Sequence, residues 1–212
     1  MTAPTVLLFN PISTSPGKQR LPMSLLAIAA VIDDAYTPEF VDGNLIGDPA
    51  THILERARAT GARLLAVTVM PGPQLRQAIA VCKQIKAALP ELVIAWGGYF
   101  PTHHGAVCVQ SSTVDCVIEG QGEPAFRRLV DAVYQGGSWA EVPGLVWCEG
   151  GELCTTPRAP MIALDDLPLY PYDRLDMTAY LGKSYLGQRV LSHNTKFLAA
   201  PLPVTFALWS KW

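Results

Sequence analysis

Short apolar runs alternate along the chain with stretches in which apolar residues recur every three or four positions. The runs "TVLLFN" (Thr5 to Asn10), "PEFVDG", "RLLAVTVM", "LVIAW" and "VDCVIEG" predict strands. "RLLAVTVM" is apolar almost throughout, as a strand covered on both faces should be. Between them, "PMSLLAIAAVIDD" (Pro22 to Asp34), "DPATHILERARATG", "GPQLRQAIAVCKQIKAALP", the weaker "PTHHGAVCVQSS" and "GEPAFRRLVDAVYQGG" carry the helical period. Asp48 is a candidate N-cap, Gly61 a C-terminal stop and Pro90 a helix end. A βα unit repeated five times predicts an α/β fold: a doubly wound, five-stranded parallel sheet, flavodoxin- or Rossmann-like, with helices on both faces. After Gly137 the rhythm breaks. "VPGLVWCEGGELCTTPRAPMI" predicts a β-hairpin turning at Glu149-Gly150-Gly151, and "LDDLPLYPYDRLD" an extended, proline-rich linker. The expected division is an α/β domain over 1–140, a hairpin over 141–160, a linker over 161–195 and an atypical tail over 196–212.

Composition narrows the function classes. Of 212 residues 50% are hydrophobic and 16% charged, which suits a packed core and excludes a disordered chain. A net charge of −2 gives no basic groove for nucleic acid and no footing on an anionic membrane. No apolar run is long enough to span a bilayer, and "MTAPTVLLFNP" lacks the basic start of a signal peptide, so a cytoplasmic protein is expected. The five cysteines, Cys82, Cys108, Cys116, Cys148 and Cys154, include no Cys-x2-Cys pair and are expected to be inert packing residues.

Ligands of open α/β sheets bind beyond the C-terminal ends of the strands. The exit loops read "NPISTSPGKQRLP" from Asn10, "DGNLIGD" with Asp42, Asn44 and Gly47, "TVMPGP" with Thr68 and Met70, "GGYFP" with Gly97, Gly98 and Tyr99, and "EGQGEP" with Glu119, Gly120, Gly122 and Glu123. Glycine lets a ligand approach bare backbone, and several such loops on one sheet edge suggest a ligand lying across it. Singly, each has a plainer reading. Asp42 to Gly47 is an ordinary strand–turn–helix connection, Thr68 a strand-end hydroxyl and Gly97-Gly98 a turn. Glu119 and Glu123 suit loop and helix-dipole roles. His103 and His104 are adjacent on a predicted helix, which is awkward for joint metal ligation. There is no G-x-G-x-x-G, and no Ser-His-Asp arrangement can be argued.

Taken together, the loops resemble the motif of cobalamin-binding domains: Asp-x-His-x-x-Gly, then Ser-x-Leu, then Gly-Gly. The counterparts are Asp42 to Gly47, Thr68-Val69-Met70 and Gly97-Gly98, with 26 residues between Met70 and Gly97 as in the family. The stretch from Gly47 to Thr68 is shorter than usual, and Asn44 stands where the family has the histidine that ligates cobalt. The resemblance implies that Thr68 hydrogen-bonds the cofactor's detached nucleotide tail and that the paired glycines make room for it. It implies base-off cobalamin with no protein histidine on the metal, since an asparagine amide is weakly basic. On that reading a large residue at Gly98 should block the tail, and Asn44→Ala should change little.

A wider set of pieces resembles the N-terminal part of cobalamin-dependent radical SAM enzymes, among them the anaerobic magnesium-protoporphyrin cyclase and many methyltransferases. These are "LPMSLLAIAAVI", "VDGN", "VTVMPG", "VIAWGGYFPT", "DCVIEGQGEPAFRRLV", "VPGLVW" and "LDDLPLYPYDRLD". In that family a Cys-x3-Cys-x2-Cys follows, holding a 4Fe-4S cluster that binds S-adenosylmethionine (SAM), on a barrel normally in cis. Here "RVLSHNT" leads instead into "KFLAAPLPVTFALWSKW", without cysteine. The chain as given is therefore expected to bind cobalamin but neither cluster nor SAM, and not to be catalytic alone. A frameshifted or truncated gene would account for the atypical tail. Two other classes stay open at this point: a flavodoxin-like signalling or interaction domain without corrin, and a flavin- or nucleotide-binding α/β fragment.

Overall fold

The computed structural model describes residues 3–183 and 189–191. Five parallel strands, β1 (Thr5–Asn10), β2 (Thr37–Asp42), β3 (Leu64–Thr68), β4 (Val93–Gly97) and β5 (Cys116–Ile118), are joined by helices α1 (Met23–Ala30), α2 (Pro49–Thr60), α3 (Pro73–Ala88) and α4 (Tyr99–Val109), and α5 (Gly122–Gln135) follows β5. The doubly wound sheet is as expected. The hairpin, β6 (Leu145–Glu149) and β7 (Glu152–Thr155), does not stand apart from it. β6 pairs antiparallel with β5, so one seven-stranded sheet runs β2-β1-β3-β4-β5-β6-β7. The chain leaves β1 in one direction to reach β2 and the other to reach β3, so the topological switch point lies between β1 and β3.

Alternate side chains of each strand feed two cores. Leu7, Phe9, Leu65, Val67, Ile94 and Trp96 pack under α2, α3 and α4, against Ile53, Val81, Ile85 and Val109. Val6, Leu8, Leu64, Ala66, Ala95 and Cys116 pack under α1 and α5, against Leu25, Ala29, Phe126, Leu129 and Val133. That division explains the uniformly apolar strands: every position of β1 and β3 is buried. The helix boundaries follow local chemistry. The Asp48 carboxylate accepts from the Thr51 N–H (3.2 Å), Pro49 opens α2, and Gly61 closes it in the left-handed region (φ 67°). α1 is shorter than its sequence pattern, because the Ile32 N–H turns back to the Ala29 carbonyl (3.0 Å) and tightens the chain before Asp34. α4 kinks at His104 (φ −135°), and Gly105 then approaches β5's exit so closely that a Cβ there would lie 2.6 Å from a Glu119 carboxylate oxygen.

Beyond the hairpin the chain turns back rather than running extended. It makes 3-10 turns at Leu164–Asp166, Tyr172–Arg174 and Met177–Tyr180. The short strands Leu181–Lys183 and Arg189–Leu191 pair with each other. The tail 196–212 and the end of "RVLSHNT" before it lie outside the described residues.

The cysteines divide by environment. Burial pushes the Cys82 thiol up to about 12 and also raises Cys116 and Cys108, so all three stay protonated near neutral pH. Cys148, by contrast, is exposed and Cys154 partly so. Titration of native protein with a disulfide reagent at about pH 8 is expected to modify Cys148 and then Cys154, leaving Cys82 and Cys116 until denaturant is added. Prompt reaction of Cys82 or Cys116 in the folded protein would contradict this core.

Candidate functional site

The C-terminal edge of the sheet carries all five exit loops, and with them every residue expected from sequence to face a ligand. They do not form one uniform glycine-lined rim. The edge has two halves.

Over β2, β1 and the start of α3, side chains bond to one another. Asp42 is 4% exposed and Asn10 5%. One Asp42 oxygen accepts from Asn10 Nδ2 (3.1 Å), the Asn44 N–H (2.8 Å) and Asn44 Nδ2 (2.7 Å). The other accepts from the Tyr180 hydroxyl (2.9 Å), brought back by the returning chain. Burial and the Asp42 charge push the Tyr180 phenol well above its ordinary range, so it stays a donor at all physiological pH. Asn10 Oδ1 in turn accepts from Gln74 Nε2 (3.0 Å), which also reaches the Pro11 carbonyl (3.2 Å), while Gln74 Oε1 accepts from the Met70 N–H (2.9 Å). The buried Gln74 thus bridges the exits of β1 and β3 across the switch point. One turn later, Gln77 Oε1 accepts from the Ile12 N–H (2.6 Å).

Asn44 belongs to this lattice. Its amide oxygen accepts from the backbone N–H of Ser13 (2.8 Å) and Thr14 (3.1 Å), so it fastens the loop after β1. The Asn44 side chain is thus committed to hydrogen bonds within the protein. Gly47 lies in the exposed turn beyond it, with open space where a Cβ would be.

Over β3 and β4 the edge is barer. Thr68 pairs in register with Gly97, and the Thr68 hydroxyl shares a hydrogen bond with the Ser24 hydroxyl of α1 (3.0 Å). The two glycines differ. A Cβ on Gly97 would meet nothing within 4 Å, whereas one on Gly98 (φ +101°) would lie 3.1 Å from the Val69 carbonyl oxygen and 3.3 Å from Thr68 Oγ1. Gly98 is required by the close passage of β3's exit, and Gly97 is the glycine that leaves room outward. Bulk at Gly98 therefore crowds the protein itself, Thr68 included, whereas a Cβ at Gly97 meets open space. Met70 (48% exposed) and Tyr99 (58%) stand on the two exits, and Leu45 (41%) on that of β2.

The loop after β5 is taken up by the returning chain. Arg158 Nη2 donates to a Glu119 carboxylate oxygen (2.6 Å) and to the Thr102 carbonyl (3.4 Å). The Gly120 N–H donates to Thr102 Oγ1 (3.1 Å), so it does not point outward. Gln121 exchanges two hydrogen bonds with the backbone of Ile162, 2.7 and 3.3 Å long. Gly122 packs toward Ile28 of α1, and Glu123 is 1% exposed in the first turn of α5. The sequence reading missed Ser24, Gln74, Gln77, Arg158 and Tyr180. The two glutamines sit three apart on one helix face, the one cue available in advance. Hollows beside Trp139 and Trp147 and beside Arg128 and Gln135 lie at the opposite edge of the sheet, away from these loops. Among the described residues no three His, Cys, Asp or Glu gather to hold a metal ion, and no helix is long and apolar enough to cross a membrane.

Comparison with known proteins adds to this geometry. The B12 binding domain family model matches residues 12–130. The chain is 27% identical over 192 residues to an anaerobic magnesium-protoporphyrin IX monomethyl ester cyclase of Synechocystis, covering 86% of this chain and 38% of that protein. It is 24% identical over 161 residues to an uncharacterized methyltransferase of Pyrococcus horikoshii, covering 75% and 35%. The chain thus spans little more than a third of either relative. Its fold matches the cobalamin-dependent S-adenosylmethionine radical enzyme OxsB with aqua-cobalamin bound (TM-score 0.64, 18% identity, 75% of this chain and 23% of that one). It also matches the radical S-adenosylmethionine methyltransferase TsrM of Kitasatospora setae with cobalamin and a 4Fe-4S cluster bound (TM-score 0.64, 19% identity, 83% and 34%).

Removing Asn44's side chain deprives Ser13 and Thr14 of their acceptor. In Asn44→Ala, amide hydrogen exchange at Ser13 and Thr14 should quicken by about tenfold or more, with β1 unchanged. Unchanged protection of both amides would contradict the loop-fastening role.

Proposed function

We propose that this chain, which belongs to the B12 binding domain family, holds cobalamin across the C-terminal edge of its sheet for a B12-dependent radical SAM reaction of the methyltransferase or cyclase type. The observation that carries the proposal is the outward opening at Gly97 beside the Thr68 hydroxyl, at the positions that match the family's glycine pair and hydroxyl. The residues fit the group. The opening suits a nucleotide tail, and exposed Leu45, Met70 and Tyr99 offer an apolar surface for a macrocycle.

In this reading the tail would be released from cobalt and lie against Thr68, with no histidine of the described residues taking its place. His103 and His104 are engaged beside Tyr99 and Phe100, with ring centroids 4.6 and 4.7 Å apart, and Asn44 is held by Asp42 and the loop after β1. Bound cobalamin would supply a cobalt able to accept a methyl group and hand it on, while the protein's part is positioning. Asp42, Asn10 and Gln74 hold the loops in register, Thr68 receives the tail, and Gly97 keeps the entrance clear. The cluster and SAM belong to a barrel domain that the larger relatives' architecture supports as this domain's partner.

Mixing the protein with hydroxocobalamin, passing it through gel filtration and recording the visible spectrum tests the reading. Corrin should co-elute with wild type and be lost from Gly97→Phe at unchanged folding, since a Cβ at this position meets no protein atom within 4 Å. A flavin spectrum in protein as purified, or no retained chromophore, would overturn it.

A further inference from the structure

Ser24 has no place in the sequence motif, yet it is the side chain that completes Thr68. It stands in the first turn of α1, whose N-cap is Pro22. Its hydroxyl reaches instead across to the end of β3, 3.0 Å from Thr68 Oγ1. Thr68 is 8% exposed and faces the bare backbone of Gly97 and Gly98. Two hydroxyls carry two protons, and their mutual bond uses one. The other proton remains on whichever hydroxyl accepts, and a hydrogen bond received polarises the O–H that is then given.

We propose that Ser24 is a positioning residue for the nucleotide tail: by donating to Thr68 it fixes the Thr68 hydroxyl as a polarised donor toward a ring nitrogen of the lower base. The inference rests on the cobalamin reading and sharpens it to a ligand class, cobamides whose lower base carries an acceptor nitrogen. A ring that offers only C–H would leave the proton of the Thr68 hydroxyl, itself 8% exposed, without a partner, and so is disfavoured. Neither serine nor threonine titrates in the accessible range, so any pH dependence of the preference comes from protonation of the ring nitrogen, which accepts only when unprotonated.

The test compares cobalamin with cobinamide, which has the corrin but no nucleotide base, by equilibrium titration against wild type, Ser24→Ala and Ser24→Thr. Ser24→Ala should weaken cobalamin about three- to tenfold, leave cobinamide unchanged, and regain affinity in Ser24→Thr. An equal loss for both corrinoids would assign Ser24 a merely structural part, and no loss for cobalamin would remove it from the tail's site. Either result overturns this inference while leaving the cobalamin reading in place. Failure of wild type to bind either corrinoid would overturn both.

Discussion

The sheet's working edge is organised around one buried carboxylate. Asp42 lies where water cannot compensate an unpaired charge, so each of its oxygens has to find donors within the protein. It takes them from three places: Asn10 at the end of the neighbouring strand, Asn44 two residues on, and Tyr180 from chain that has crossed back over the domain. The exits of β1 and β2 and the returning segment are thereby fixed to the same atoms, and Gln74 extends the connection to β3. Removing one partner leaves a buried charge short of a donor, which costs more than the bond itself contributes.

That constraint divides the edge into a closed half and an open half. Where the lattice runs, side chains are committed to one another and present little to a ligand. Where it stops, at Thr68 and Gly97, the backbone is bare and the hydroxyls of Thr68 and Ser24 bond each other beside it. The far side, after β5, is closed again by Arg158 on Glu119 and by Ile162 on Gln121. An opening bounded on both sides by hydrogen-bonded loops has part of its shape set before a ligand arrives.

The five βα units were legible because a parallel strand covered on both faces must be apolar at nearly every position, and β1 and β3 are. The turn of the hairpin was legible from its glycines, but nothing in the local pattern tells that β6 continues the sheet beside β5. At the site, spacing located the loops and the residue types, since turn glycines and strand-end hydroxyls are local features. It did not separate Gly97 from Gly98, whose difference lies in what a Cβ would touch. Asn44 looked like a ligand position left vacant, and its bonds to Ser13 and Thr14 are visible only in three dimensions. Tyr180 meets Asp42 across 138 positions of sequence, a separation for which no periodicity gives warning.

In the proposed reading this edge holds cobalamin with its nucleotide tail off the metal and no protein nitrogen in its place. Electron paramagnetic resonance of the protein with reduced, Co(II) cobalamin addresses that claim at the cobalt itself. A nitrogen on the axial position splits each cobalt line threefold. The account predicts lines without that splitting, distinct from those of free cobalamin at neutral pH, in protein separated from excess cofactor. Threefold-split lines, whether from the cofactor's own base or from a histidine, would contradict it.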